Sequence, residues 1–170
     1  CSIAEVEIGQ SEFDCTDVGA NPVVLTVTDN SGNSSTCTAT VTVEDNVAPQ
    51  ALCQDITVAL NASGNAVITA GQIDNGSNDA CSVLQLSLDQ TVFDCSDVGE
   101  NTVTLSVTDI NGNLSTCTAT ITVEDNTTPV ALCEDRTVQL DASGAGSITP
   151  GQVFEGEIDP CGLASLSLDK

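Results

Sequence analysis

Histidine, methionine, tryptophan and tyrosine are absent, and only two residues, Arg136 and Lys170, are basic. Each absence excludes a class of function. Without histidine the chain lacks the usual general base, the base of a catalytic triad and the main ligand of zinc. Two basic residues cannot neutralise a phosphate backbone, so nucleic-acid binding is excluded, and so is docking on an anionic membrane. No apolar run approaches the roughly 18 residues that a membrane-spanning helix needs, so membrane insertion is not expected. Three phenylalanines, Phe13, Phe93 and Phe154, are the only aromatic residues, so a core must be built from Val, Leu, Ile and Ala. With a single lysine, isopeptide stapling is excluded. No nucleophile–base pair or phosphate-binding loop is found, and the chain reads as structural, not as an enzyme.

What is present is acid and sulfur. The 170 residues include 25 Asp and Glu, giving a formal net charge of −23, and nine cysteines. These are ordered by an internal repeat. Phe13-Asp14-Cys15 returns as Phe93-Asp94-Cys95, and Thr36–Thr40 (TCTAT) returns as Thr116–Thr120, both at an offset of 80. Aligned without a gap, 13–60 and 93–140 share 33 of 48 positions. The cysteines keep the period: 1, 81 and 161; 15 and 95; 37 and 117; 53 and 133. An odd count therefore follows from four per repeat plus one from a third copy. Nothing singles out one reactive thiol.

Within a repeat the apolar period is two. In Asn101–Asp109, Val103, Leu105 and Val107 alternate with Thr and Ser. In Ser115–Val123, Cys117, Ala119, Ile121 and Val123 do the same. Ile110-Asn111-Gly112-Asn113 between them carries a hairpin signal. Two further strand pairs are expected, Asp55–Leu60 with Ala66–Ala70 and Ser82–Leu88 with Thr91–Cys95. No helical period or capping box stands out. Seven or so short strands per 80 residues point to an all-β fold of tandem immunoglobulin-like antiparallel β-sandwich repeats. Pro49 and Pro129 lie in polar stretches unsuited to a central strand and mark the junctions. The division expected is then 1–47, the C-terminal part of a preceding repeat; 48–127, a complete repeat; and 128–170, the N-terminal part of a following one. The chain is expected to be a window on a longer array.

Asp94–Gly99 (DCSDVG), Val103–Asn113 (VTLSVTDINGN) and Thr116–Val123 (TCTATITV) resemble the closing strands of hyalin-repeat (HYR) domains. Pro129–Leu140 (PVALCEDRTVQL) resembles their opening strand. The resemblance runs along essentially the whole chain. It implies immunoglobulin-like sandwiches in secreted, adhesive proteins, including large bacterial surface proteins, and it implies no particular ligand. The departure is four cysteines per unit where ordinary HYR units carry two.

Four cysteines allow three connectivities. Cys81 and Cys95 lie seven residues either side of Leu88, next to the Asp89-Gln90 turn, which would set them facing each other nearly in register across a hairpin, and by the same rule Cys1 pairs with Cys15. Cys53 and Cys117 are the first and last of the complete unit, and the resemblance implies a bond from opening to closing strand, Cys53–Cys117. Cys37, Cys133 and Cys161 are then left to partners outside the window or on another chain. Zinc is the competing use of the cysteines. It is disfavoured by the missing histidine and by the lack of any C-x-x-C spacing. Disulfides fit an extracellular, secreted or cell-surface location.

So dense a charge calls for counter-ions, and calcium is the candidate cofactor, because it takes carboxylate, amide and carbonyl oxygens from loops. The candidate ligands are Glu44, Asp45 and Asn46 at one junction and Glu124, Asp125 and Asn126 at the next. The loops add Asp109, Asn111 and Asn113, and Asp29 with its neighbours. The competing reading of those loops is a plain turn. Outward threonines (36, 38, 40, 42 and again 116, 118, 120, 122) fit an exposed strand face, with O-glycosylation and ice binding as rarer uses. Five N-glycosylation sequons start at Asn33, Asn61, Asn75, Asn113 and Asn126. The function expected is a structural segment of an extracellular fibre, stalk or adhesin whose partner is itself: neighbouring repeats, or subunits joined end to end with Cys133 bonding Cys37 of a neighbour. The alternative is an adhesion module recognising a glycan or host surface.

Overall fold

The computed structural model describes residues 2–169. It is dominated by β-strands. In chain order these are β1 (Ile3–Ile8), β2 (Gly19–Asp29), β3 (Ser34–Val43), β4 (Ile56–Ala59), β5 (Asn65–Val67), β6 (Val83–Leu88), β7 (Val92–Asp94), β8 (Gly99–Asp109), β9 (Leu114–Glu124), β10 (Val130–Cys133) and β11 (Phe154–Ile158). Two single-turn helices, α1 (Ala70–Ile73) and α2 (Pro150–Val153), stand 80 residues apart. The chain groups into two compact units. One holds residues 1–51, 76–86 and 106–116; the other holds 52–75, 87–105 and 117–170.

The alternation read from the sequence produces the long strands. In β8, every second residue from Val103 to Asp109 is buried. In β9, Ala119, Ile121 and Val123 are buried while their threonine neighbours are not. Phe93, Ile68, Ile73, Leu105, Ile121, Val103 and Val107 are shut off from water almost completely. The core is aliphatic apart from Phe93. At about 25 cal/mol per Å² of apolar surface, such residues supply the main drive for folding.

The pairing corrects two expected hairpins. Residues around 55–60 and 66–70 do not pair with each other: β4 runs parallel to β9, with Ile56 opposite Ile121 and Val58 opposite Val123, and β5 pairs antiparallel with β7. Likewise β6 and β7 separate. β6 joins the sheet ordered β4-β9-β8-β6, and β7 joins β5. Asp89 anchors the chain between them, its backbone N–H donating to the Thr104 carbonyl while its carboxylate accepts from the Thr104 N–H. The hairpin signal at 110–113 does close a turn, with Gly112 at φ +95°. Capping boxes also occur, unannounced by any helical period. Thr69 with Gln72 and Thr149 with Gln152 close α1 and α2, which are too short to show one.

The three copies of the sequence are not equally covered. β1, β2 and β3 form their own antiparallel sheet in that order, in a register that sets Leu25 opposite Cys37 and Val23 opposite Ala39. Leu25 and Val27 are half-buried, whereas the equivalent Leu105 and Val107 are fully buried. In the last copy, residues 136–139 correspond to β4 but form no strand. Leu60 is 6% exposed and its equivalent Leu140 is 66% exposed.

Candidate functional site

Among the described residues, three disulfides organise the chain. Cys53 bonds Cys117, the expected pair, across 64 residues. The other two correct the expectation: Cys15 bonds Cys81 and Cys95 bonds Cys161, each across 66 residues. Cys81 and Cys95 do not face each other, because β6 and β7 belong to different sheets. The expected bond from Cys1 to Cys15 involves a residue outside those described, and Cys15 is taken by Cys81. Cys161, expected to need a partner elsewhere, finds it in Cys95. Cys37 and Cys133 remain as free, exposed thiols.

Both ends of Cys15–Cys81 and of Cys95–Cys161 are held by aspartates. Cys15 and Cys95 each begin a single 3₁₀ turn. Asp14 accepts from the backbone N–H of Thr16 at 2.8 Å and from its hydroxyl at 2.6 Å, while Asp17 accepts from the Asp14 N–H at 2.9 Å. Asp94, Ser96 and Asp97 repeat this arrangement at the same distances. The side-chain hydroxyls of Thr16 and Ser96, helped by the backbone N–H groups, hold Asp14 and Asp94 below the ordinary carboxylate pKa. On the partner side, Asp79 accepts from the Cys81 N–H at 2.7 Å and Asp159 from the Cys161 N–H at 2.8 Å. The Asp-Cys-Ser/Thr-Asp motif is thus a device that fixes the direction of a cysteine, since a capped turn has one favoured geometry.

The candidate calcium ligands separate into two kinds. Asp29 accepts from the N–H groups of Ser31 and Asn33 and from the Asn33 amide, and these bonds lower its pKa. Asp109 does the same with Asn111 and Asn113. Burial acts to raise Asp109, but the hydrogen bonds from Asn113 and the neighbouring backbone outweigh it, and its pKa lies below the ordinary value. These oxygens serve their own turns, as the competing reading expects. The Asn113 amide also donates to the Asp45 carbonyl at 3.0 Å, so this sequon is committed to the fold.

The junction segments behave differently. Asn46 donates to Glu44 and Asn126 to Glu124. Asp45 takes the Val47 N–H on Oδ1 and Asp125 takes the Thr127 N–H. The Asp45 and Asp79 carboxylates lie within 4.8 Å of each other and of the Cys81 sulfur, and Asp125, Asp159 and Cys161 repeat the cluster. Asp45 and Asp79 are 34 positions apart in the sequence, and only the fold brings them together. The sulfurs are in disulfides, so each cluster offers carboxylates alone. Oδ2 of Asp45 is buried and accepts no hydrogen bond, a condition that costs on the order of 1–3 kcal/mol or more for a charged group unless a cation fills it. The donor set is all oxygen and fits a hard cation such as calcium. Among the described residues, no helix is long and apolar enough to cross a membrane.

No family model and no curated protein matches this chain. Among solved structures it is similar to an endo-fucoidan hydrolase from glycoside hydrolase family 107, at 20% identity and a TM-score of 0.31, over 75% of this chain. The chain spans 23% of that protein's length.

Proposed function

We propose that this chain is a load-bearing structural segment of an extracellular fibre or surface stalk, made of tandem HYR-like, immunoglobulin-like modules and without enzymatic activity. The observation that carries the reading is the end-to-end succession of Cys15–Cys81 and Cys95–Cys161. Each bond crosses from one 80-residue copy into the next, so tension passes through sulfur for most of the chain. Between Gln10 and Leu166 the only free contour left is 10–15, 81–95 and 161–166. These are about 24 residue steps out of 156, or roughly 80 Å of extension against roughly 550 Å for the open chain at about 3.5 Å per residue. A segment wired this way stays short even when a module unfolds. Such bonds persist in oxidising surroundings, which favours an extracellular location.

Single-molecule stretching between positions 10 and 166 tests this. The oxidised chain is expected to lengthen by under about 100 Å before the force rises steeply, and the reduced chain several-fold more. Equal lengthening in both states would refute the load-bearing role.

Calcium belongs to the same reading, at Asp45 with Asp79 and at Asp125 with Asp159, where it would offset paired carboxylates. Millimolar calcium is expected to raise Tm over that in chelator, and Asp45→Asn to reduce the rise. An identical Tm in chelator and calcium would remove calcium from the proposal.

A further inference from the structure

The middle copy holds both halves of a repeat, and each outer copy holds one of them. In 48–127, β4 lies parallel to β9 with Ile56 opposite Ile121 and Ala59 opposite Glu124. The Leu60 N–H donates to the Glu124 carbonyl at 2.8 Å, and Asp55 accepts from the Thr120 N–H at 2.7 Å. Cys53–Cys117 locks this pairing covalently. In the first copy β3, the equivalent of β9, is the last strand of its sheet. Its Cys37 is a free, exposed thiol. In the last copy residues 136–139, the equivalent of β4, form no strand, Val138 and Leu140 are exposed, and Cys133 is free.

From this match we infer that residues 128–160 of one copy of the chain complete the β1-β2-β3 sheet of a second copy. Shifting the internal pairing by 80 residues fixes the register. Arg136 lies opposite Val41, Thr137 opposite Thr42, Val138 opposite Val43 and Gln139 opposite Glu44, all parallel. Asp135 accepts from the Thr40 N–H, and Leu140 donates to the Glu44 carbonyl. The partner is a second copy because Cys133, Asp135, Thr137, Val138 and Leu140 repeat Cys53, Asp55, Thr57, Val58 and Leu60 of the internal joint, with Arg136 and Gln139 standing where Ile56 and Ala59 do. The half-buried apolar residues Leu25, Val27 and Val41 then gain the cover that Leu105, Val107 and Ile121 already have. An unpaired strand edge is a ready template for such addition.

Cys133 and Cys37 close the joint by thiol–disulfide exchange with a small disulfide such as oxidised glutathione. The Cys37 thiolate attacks glutathione disulfide and releases one glutathione thiolate. The Cys133 thiolate then attacks the Cys37 sulfur of the mixed disulfide and releases the second. Two protein thiols are oxidised and one glutathione disulfide is reduced, so electrons balance.

This inference rests on the structural reading above but can fail separately from it. The experiment is non-reducing electrophoresis of the 17.3 kDa chain in oxidised glutathione, with Cys1→Ser in every sample because Cys1 lies outside the described residues. A ladder of multiples is expected, its length growing with protein concentration. Cys37→Ser and Cys133→Ser are each expected to abolish the ladder, and an equal mixture of the two to stop at a dimer linked only through the remaining Cys133 and Cys37. Analytical ultracentrifugation of the Cys37→Ser/Cys133→Ser protein is expected to show reversible association that Val43→Pro, which breaks the pairing edge, weakens at least tenfold. Monomers that keep two free thiols, a 37–133 bond within one chain, or 37–37 and 133–133 dimers would overturn the inference. None of these would alter the stretching result.

Discussion

Leu105 and Leu25 are the same residue in the same sequence setting, Val-x-Leu-x-Val, eighty positions apart. They differ only in what covers them: Leu105 is fully buried and Leu25 half-buried. Truncating Leu105 to Ala removes buried methyl groups and leaves a cavity, which costs about 2–5 kcal/mol. Truncating Leu25 removes groups that already meet water and leaves an open notch, so roughly half the transfer term applies and no cavity term, or about 1 kcal/mol. In modules of this size each kcal/mol moves Tm by about 4–8 °C, so Leu105→Ala should lower Tm by on the order of 10–30 °C and Leu25→Ala by about 5 °C. With no tryptophan or tyrosine to report by fluorescence, far-UV circular dichroism and calorimetry are the assays. If 128–160 of another copy covers the first sheet, the cost of Leu25→Ala should rise in oxidised ladders towards that of Leu105→Ala. Equal losses for the two variants in the unassembled chain would refute the reasoning, because they would mean that cover does not set the cost.

Replacing both Cys53 and Cys117 by Ser opens a loop of 64 residues, for which the chain-entropy relation gives about 4 kcal/mol; urea unfolding checks this, and a loss under about 1 kcal/mol would contradict it. Gly64 and Gly144 both hold positive φ, +74° and +81°. An added Cβ at Gly64 would lie 2.9 Å from both Cys95 Sγ and Pro160 Cβ, while at Gly144 it meets nothing within 4 Å. Gly144→Ala should therefore cost only the backbone term of about 1 kcal/mol, and Gly64→Ala clearly more, by calorimetry of the two variants. Asp94 has a pKa lowered from 3.8 in the fold by its bonds to Ser96. The sign follows: a depressed carboxylate adds stability that is complete above its unfolded value and is lost as pH falls through the folded one. The Tm gap between wild type and Asp94→Ala should be constant above about pH 5 and close as pH falls below 3.8. A gap that persists unchanged at pH 2 would remove the cap's carboxylate as its cause.

The long strands were legible because β8 and β9 alternate over several residues with one face buried, which is a local property of the chain. The strand pairs were not. Ile56–Ala59 and Val83–Leu88 have apolar residues suited to either neighbour, and nothing local says that β4 must travel to β9 or that β6 and β7 must separate. The Cys81–Cys95 expectation failed with them, since it assumed a hairpin at Asp89-Gln90 and confined bonds to one copy. The period itself held the missing signal: Cys15–Cys81 and Cys95–Cys161 are one bond seen twice at an offset of 80. Asp14 and Asp94 recur in the repeat beside their cysteines, but their role as caps of the 3₁₀ turns shows only in the fold.

Composition and pattern alone determine that this chain is all-β, aliphatic in its core, acidic outside and periodic every 80 residues, because alternation and repetition are written residue by residue. Only the tertiary structure decides which cysteines meet, which carboxylates crowd together and which copy of a repeated sequence is covered. Those outcomes depend on what distant segment arrives to pack, and Leu25 and Leu105, alike in sequence, carry no mark of it.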